Sequence, residues 1–262
     1  VTAVRFGAEG RLGVVWPPGW SATPTVQSFR LARAGEKTLV RFIVKAPTTA
    51  GGARITVFAE VNGTRYSNQR AEIRYDHIPP QLLQPPARAR LVVADVAKRG
   101  TEVGYLAGAG DDTARALDQL GYRVRNLSGA DLTVEKLRGL AAVVIGVRAF
   151  NERDDLAANL PGLFAWVASG GTVIAQYNRP NGLSAKELGP YPLSIQGSAP
   201  QLRVTDENAP VRILAADHPS VTTPNRIGPA DFAGWVQERG AYFPSSWDKE
   251  RYVPVLAMSD PG

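Results

Sequence analysis

The sequence predicts two domains, an all-β sandwich followed by an α/β domain built on a parallel sheet. Three observations predict it. Apolar residues alternate with a period of two up to about residue 78, prolines crowd residues 79–89, and from residue 90 short apolar runs alternate with helical patterns. With 262 residues, the chain is long enough for each domain to bury a core of its own.

In the first domain Val40, Phe42 and Val44 alternate with Arg41 and Lys45 before Ala46-Pro47. Ile55, Val57, Ala59 and Val61 alternate in the same way and run into Asn62-Gly63, a dipeptide that favours a tight hairpin turn. Ala71, Ile73 and Tyr75 supply a further strand, so short antiparallel strands are expected throughout. Trp16 and Trp20, around Pro17-Pro18-Gly19, read as a core plug at a strand end, with sugar stacking as the sharper alternative. Pro79-Pro80 and Pro85-Pro86 continue neither a ladder nor a helix. The expected division is therefore a sandwich over residues 1–78, a stiff linker over 79–89 and the α/β domain over 90–262.

In the second domain Leu91-Val92-Val93-Ala94 has the continuous apolar character of a strand covered on both faces. A helix is expected from Asp111 to Leu120, capped by aspartate and stopped by Gly121. Arg123 to Leu127 reads as a strand, Asp131 to Leu140 as a short helix and Ala141 to Val147 as a buried strand. Asp154 to Ala168 is a longer helix ending at Gly170-Gly171, and Thr172 to Ala175 the fourth strand. This alternation predicts a parallel sheet with helices on both faces and ligands at the carboxyl ends of its strands.

Composition narrows the function classes. The net charge is +6, but the basic residues are spread along the chain without interleaved aromatics, which argues against nucleic acid as a partner. There is no cysteine, hence no disulfide, thiolate metal site or cysteine nucleophile. No apolar run reaches the roughly 20 residues of a membrane span. The first residue is Val1 and the sole methionine is Met258, so the sandwich is expected to be truncated at its start. Ser259-Asp260-Pro261-Gly262 reads as a turn into another strand, so the α/β domain is expected to be truncated at its end.

Gly108-Ala109-Gly110 before a helix resembles a phosphate loop, but a third glycine is missing and Asp111 and Asp112 would repel a phosphate. No Gly-x-Ser-x-Gly occurs. The turn expected to be equivalent to a nucleophile elbow is Gln176-Tyr177-Asn178, and a phenol with pKa near 10 is a poor nucleophile. His218, in Asp217-His218-Pro219-Ser220, is either a structural residue or one brought to the cleft. Arg148 and Asn151 follow the third strand, where Arg148 either clamps an anionic group or pairs with Asp154 or Asp155. Trp235, Glu238, Arg239 and Tyr242 fit a cleft wall or the inner face of an amphipathic helix. The ligand-binding candidates are Asp95, Asp111, Arg148, Asn151, Tyr177, Asn178 and His218, with no catalytic residue and no metal ligand among them.

Several stretches together resemble the C-terminal region of large bacterial PIG-L (LmbE-like) family deacetylases. They are Val103-Gly104-Tyr105 through Asp111-Asp112, Gly146 to Asn151, Gly170-Gly171-Thr172 to Asn178, and Ile227 to Phe232 with Trp235 to Gly240. The α/β part is similar to class I glutamine-amidotransferase-like, flavodoxin-like domains. The first part, with Pro18-Gly19-Trp20, looks like the immunoglobulin-like sandwich attached to bacterial glycosidases. The resemblance implies a secreted or periplasmic parent whose zinc-dependent chemistry resides in a missing N-terminal deacetylase domain with an Ala-His-Pro-Asp-Asp-type motif. That motif does not occur here, since His218-Pro219 continues into Ser220-Val221, and no cofactor is expected in this stretch. The implied role is that of a non-catalytic accessory region that binds or positions a glycan or amino-sugar substrate. Two alternatives stay open, a hydrolase or small-molecule enzyme using Arg148, Tyr177 and His218, and a structural or dimerising module.

Overall fold

The computed structural model describes residues 1–197, 203–234 and 240–260. The chain divides into two compact units, Val1–Asp95 and Val96–Gly262.

The first unit is built from antiparallel sheets. Its strands are β1 (Ala8–Val15), β2 (Ser21–Thr23), β3 (Val26–Leu31), β4 (Ile43–Lys45), β5 (Gly51–Val61), β6 (Thr64–Tyr66), β7 (Ala71–Tyr75), β8 (Ile78–Leu83) and β9 (Arg88–Val93). A five-stranded sheet runs β3-β1-β5-β6, with β9 also paired to β5; β2 pairs with β4 and β7 with β8. The alternation along β5 has the expected consequence. Ile55 is buried, and Ala59 and Val61 pack on a core of Ala3, Phe29 and Leu31, while the even positions face the other way. Asn62 and Gly63 take positive φ values of 49° and 76°, which close the β5–β6 hairpin. Trp16 and Trp20 are half-buried.

Two expectations about the middle of the chain are corrected. The proline-rich stretch is not a bare connector, because it contains β8 and leads into β9. Pro79 and Pro80 fall where the β7–β8 register shifts, a place where a strand tolerates a missing N–H. Leu91-Val92-Val93 is not the first strand of the parallel sheet. It belongs to β9, antiparallel to β5 from Gly51↔Val93 to Thr56↔Arg88, and so closes the first unit.

The second unit holds a four-stranded parallel sheet in the order β11-β10-β12-β13, with β10 at Glu102–Leu106, β11 at Arg123–Leu127, β12 at Ala142–Ile145 and β13 at Val173–Ala175. Its first strand is thus β10, where Val103, Tyr105 and Leu106 are buried and Gly104 leaves room for Leu127 and Leu140. The helices are α1 (Thr113–Gln119), α2 (Val134–Leu137), α3 (Ala149–Glu152) and α4 (Asp154–Ala168). Asp131, expected to begin the second helix, instead closes a 3₁₀ turn, Gly129–Asp131, capped by Ser128. Helix α4 presents Leu156, Leu160, Leu163 and Trp166 at helical spacing to a core that includes Leu106, Leu127, Leu132, Val143, Ile145 and Phe150. Beyond β13 the described chain is largely irregular, with paired strands β14 (Leu193–Ser194) and β16 (Ser246–Trp247), β15 (Arg212–Ile213) and β17 (Leu256–Ala257), and helix α5 (Pro219–Thr222).

Candidate functional site at the carboxyl ends of the parallel strands

The strand order sets the place. From β10 the chain moves outward to β11 and then returns to the far side of β10 as β12. The loops after β10 and β12 therefore leave in opposite directions, and their carboxyl ends mark the place where this topology binds ligands. Two glycines let these loops touch. A β-carbon at Gly108 would lie 2.1 Å from the Val147 carbonyl oxygen, and one at Gly146 would lie 2.8 Å from both the Gly108 nitrogen and the Tyr105 hydroxyl oxygen.

Asp111 clasps the two loops together. Its Oδ1 accepts from the Tyr105 hydroxyl (2.8 Å) and the Thr113 amide (2.8 Å), and its Oδ2 accepts from the Val147 amide (3.1 Å). Burial by itself would raise its pKa, but the hydrogen bonds from Thr113, Tyr105 and Val147 outweigh that and hold it below the usual carboxylate value. Tyr105 moves the opposite way, pushed up to about 12 by burial and then by its bond to Asp111. The glycine loop thus closes on the chain's own carboxylate. Asp111 was expected to face ligand; its lone pairs are instead engaged by the protein.

The strained turn is not where the sequence placed it. After β13 no helix follows directly, so Gln176-Tyr177-Asn178 is not a strand-to-helix elbow. Arg148 is, standing between β12 and α3 in the left-handed region at φ 56°, ψ 25°. Its amide donates to the Tyr177 carbonyl (2.9 Å), and its guanidinium lies 3.7 Å from Glu152 Oε1, which Arg179 also approaches, at 3.8 Å. Arg148 Nε is buried with no hydrogen-bond partner, and the side chain as a whole keeps 27% of its exposure. Of the two readings of Arg148, the pair with Asp154 or Asp155 does not form, and the carboxylate beside it is Glu152; Asp155 is gripped by Arg153 at 2.7 and 2.9 Å and by the Gly129 amide at 2.7 Å.

Tyr177 is half-exposed and stacks on Tyr242 with ring centroids 5.7 Å apart and planes 27° apart. Tyr242 also has a positive φ, 55°. Two non-glycine residues in the left-handed region therefore flank Tyr177, one through its backbone and one through its ring. Asn178 and Asn151 lie beside them but do structural work. Asn178 is buried, accepting from the Phe150 amide (3.1 Å) and donating to the Gln176 carbonyl (3.0 Å). Asn151 donates to the carbonyls of Arg179 and Asn181 and accepts from the Arg179 amide. Gln176 reaches back to the Thr113 hydroxyl (2.6 Å).

Two candidates lie elsewhere. Asp95 ends the first unit and is not on the parallel sheet, because the strand before it is β9. His218 caps α5, its Nδ1 accepting from the Ser220 amide (3.3 Å) and lying 2.8 Å from the Ser220 hydroxyl, which gives it a local structural role. Trp235, Glu238 and Arg239 lie outside the described residues. The sequence reading missed Tyr105, Glu152 and Arg179. Glu152 was available from its four-residue spacing to Arg148 on a helix.

Among the described residues no group of three His, Cys, Asp or Glu side chains is arranged to hold a metal ion, and no helix is long and apolar enough to cross a membrane. Comparison with protein-family models, curated proteins and solved structures finds no match to this chain.

Proposed function

We propose that the second unit is a non-catalytic glycan-binding module, and that the chain is an accessory region of a secreted bacterial PIG-L-like deacetylase acting on N-acetylglucosaminyl-type substrates. In this reading the second unit is a flavodoxin-like, glutamine-amidotransferase-like domain and the first an immunoglobulin-like sandwich. Catalytic zinc belongs to the separate deacetylase domain. The sheet order and the residues at its rim support the reading. The observation that carries it is the pair of strained residues, Arg148 and Tyr242, around the half-exposed ring of Tyr177. Non-glycine residues held in this region cluster at ligand clamps and other functional sites.

The residue types suit a sugar. An aromatic ring offers a face for the apolar side of a pyranose, the guanidinia of Arg148 and Arg179 offer donors, and Glu152 offers an acceptor. The elbow holds arginine, whose guanidinium stays protonated and has no lone pair for attack, so the position suits binding and not covalent catalysis.

Calorimetry with chitotetraose tests this. The chain is expected to bind it and to release no acetate from it. Arg148→Ala and Tyr177→Ala are each expected to weaken binding at least about tenfold while circular dichroism shows an intact fold. An absence of binding by the unaltered chain, or unchanged affinity in both folded variants, would refute the proposal. Acetate release that persists in chelator and disappears in Tyr177→Phe would replace it with the enzymatic reading.

A further inference from the structure

The solvent face of the five-stranded sheet carries alternate residues of β1, β3, β5 and β9, and its charges are arranged unevenly. Toward one end every arginine has a carboxylate. Glu60 takes Arg11 at 2.6 Å and Arg65 at 3.2 Å, and Arg30 stands 3.5 Å from Glu9. Toward the other end Arg54 lies directly opposite Arg90 in the β5–β9 ladder, and Arg88, two residues away, is opposite Thr56. All of Arg54, Arg88 and Arg90 are exposed, and none has a carboxylate at ion-pair distance among the described residues.

Opposed like charges on adjacent strands, with Cα atoms about 4.5–5.5 Å apart, destabilise a sheet. The same face neutralises its other arginines, so the exception leaves a place for an external anion. The surface there is shaped as well as charged. Gly52, Ala53, Arg54 and Arg90 line a shallow, open hollow of about 430 Å³. Gly52 has no side chain to fill it, and a β-carbon there would come 3.9 Å from Nε and Nη2 of Arg90. A guanidinium is planar and matches the paired oxygens of a carboxylate or sulfate group.

We infer that the Arg54–Arg88–Arg90 face of the first unit is a binding surface for an acidic polysaccharide, recognised through the oxyanion groups of successive sugars. The open hollow lets an extended chain cross it. Nucleic acid is the poorer occupant because the face offers no free aromatic for base stacking. Its one ring, Phe58, lies under the Arg65 guanidinium at 4.2 Å and against Gly13. This site is in a different unit from the rim around Tyr177 and does not depend on the reading given to that rim.

The test uses the whole chain and fluorescence polarisation of a labelled oligogalacturonate at low and moderate salt, with heparin oligosaccharide and single-stranded oligo-dT alongside. Arg54→Gln/Arg90→Gln is expected to lose affinity for oligogalacturonate at least about tenfold. Arg138→Gln/Arg226→Gln, which removes the same charge from exposed positions of the second unit, is expected to change it less than about twofold. Thermal melts establish that both variants fold. A tenfold loss confined to the first variant supports the site, whether uronate or sulfate binds more tightly. Equal losses in the two variants would assign the binding to diffuse positive charge. Failure to bind either acidic oligosaccharide, or tighter binding of oligo-dT than of both, would also overturn the inference.

Discussion

Arg148 holds a backbone conformation that costs a non-glycine residue on the order of 1–3 kcal/mol. Arg148→Gly relieves that strain and removes the guanidinium, so denaturant unfolding is expected to show no loss of stability, and up to about 1 kcal/mol of gain, while chitotetraose binding weakens as in Arg148→Ala. Asp111→Asn separates a different property. An amide cannot accept from Tyr105, Thr113 and Val147 together, and its NH₂ would face one of those donors. The expected cost is about 1–3 kcal/mol at neutral pH in urea titration. Because the folded pKa of Asp111 lies below its ordinary 3.8, its contribution is present above that value and is lost as the pH falls through the folded pKa. The variant is therefore expected to lose stability less steeply than the parent as the pH falls below about 4. Of the site, Arg148 and Tyr177 were legible in the sequence by their positions after β12 and β13. The inward roles of Asp111, Asn151 and Asn178 were not, because side-chain direction in a loop depends on which backbone groups the neighbouring loop leaves unpaired.

Elements with a clear period were legible to the residue. Arg123–Leu127 and Asp154–Ala168 form as read, since each is bounded by glycine or a polar turn and has one apolar stripe. The misassigned run, Leu91-Val92-Val93, shows the limit of that reasoning. An apolar triplet fits a strand of either sheet, and its partner, β5, is decided by tertiary pairing forty residues upstream. Strand β10 went unread because Gly104 interrupts its apolar character, although the gap is filled by Leu127 and Leu140. Helix α4 contains a comparable glycine. In a solvated helix Gly→Ala gains about 1 kcal/mol, but a β-carbon at Gly162 would meet the Leu132 carbonyl oxygen at 2.1 Å. Gly162→Ala is therefore expected to destabilise the second unit by about 1–3 kcal/mol in thermal melts. A stabilised variant would show that α4 does not sit that close to the 3₁₀ turn.

At the scale of the molecule, the two units differ in the core each can rely on. The first gathers Phe29, Leu31 and Ala3 with a few half-buried neighbours, whereas the second packs a continuous cluster around α4. Leu163→Ala is expected to lower the second unit's stability by about 2–5 kcal/mol, read from amide exchange in β10 and β12, with the exchange of β1 and β5 unchanged. The division into an antiparallel part and a parallel part was legible from the change of period, and its boundary was displaced because prolines at a register shift mimic a linker. Glycan binding at the rim around Tyr177 is tested by amide and side-chain NMR shifts on titration with chitotetraose. Saturable shifts centred on Arg148, Tyr177, Arg179 and Tyr242 are the predicted result, with Asp111 and Asn178 moving little because their hydrogen bonds are internal. Saturable shifts confined to other surfaces, or none at millimolar sugar, would contradict it.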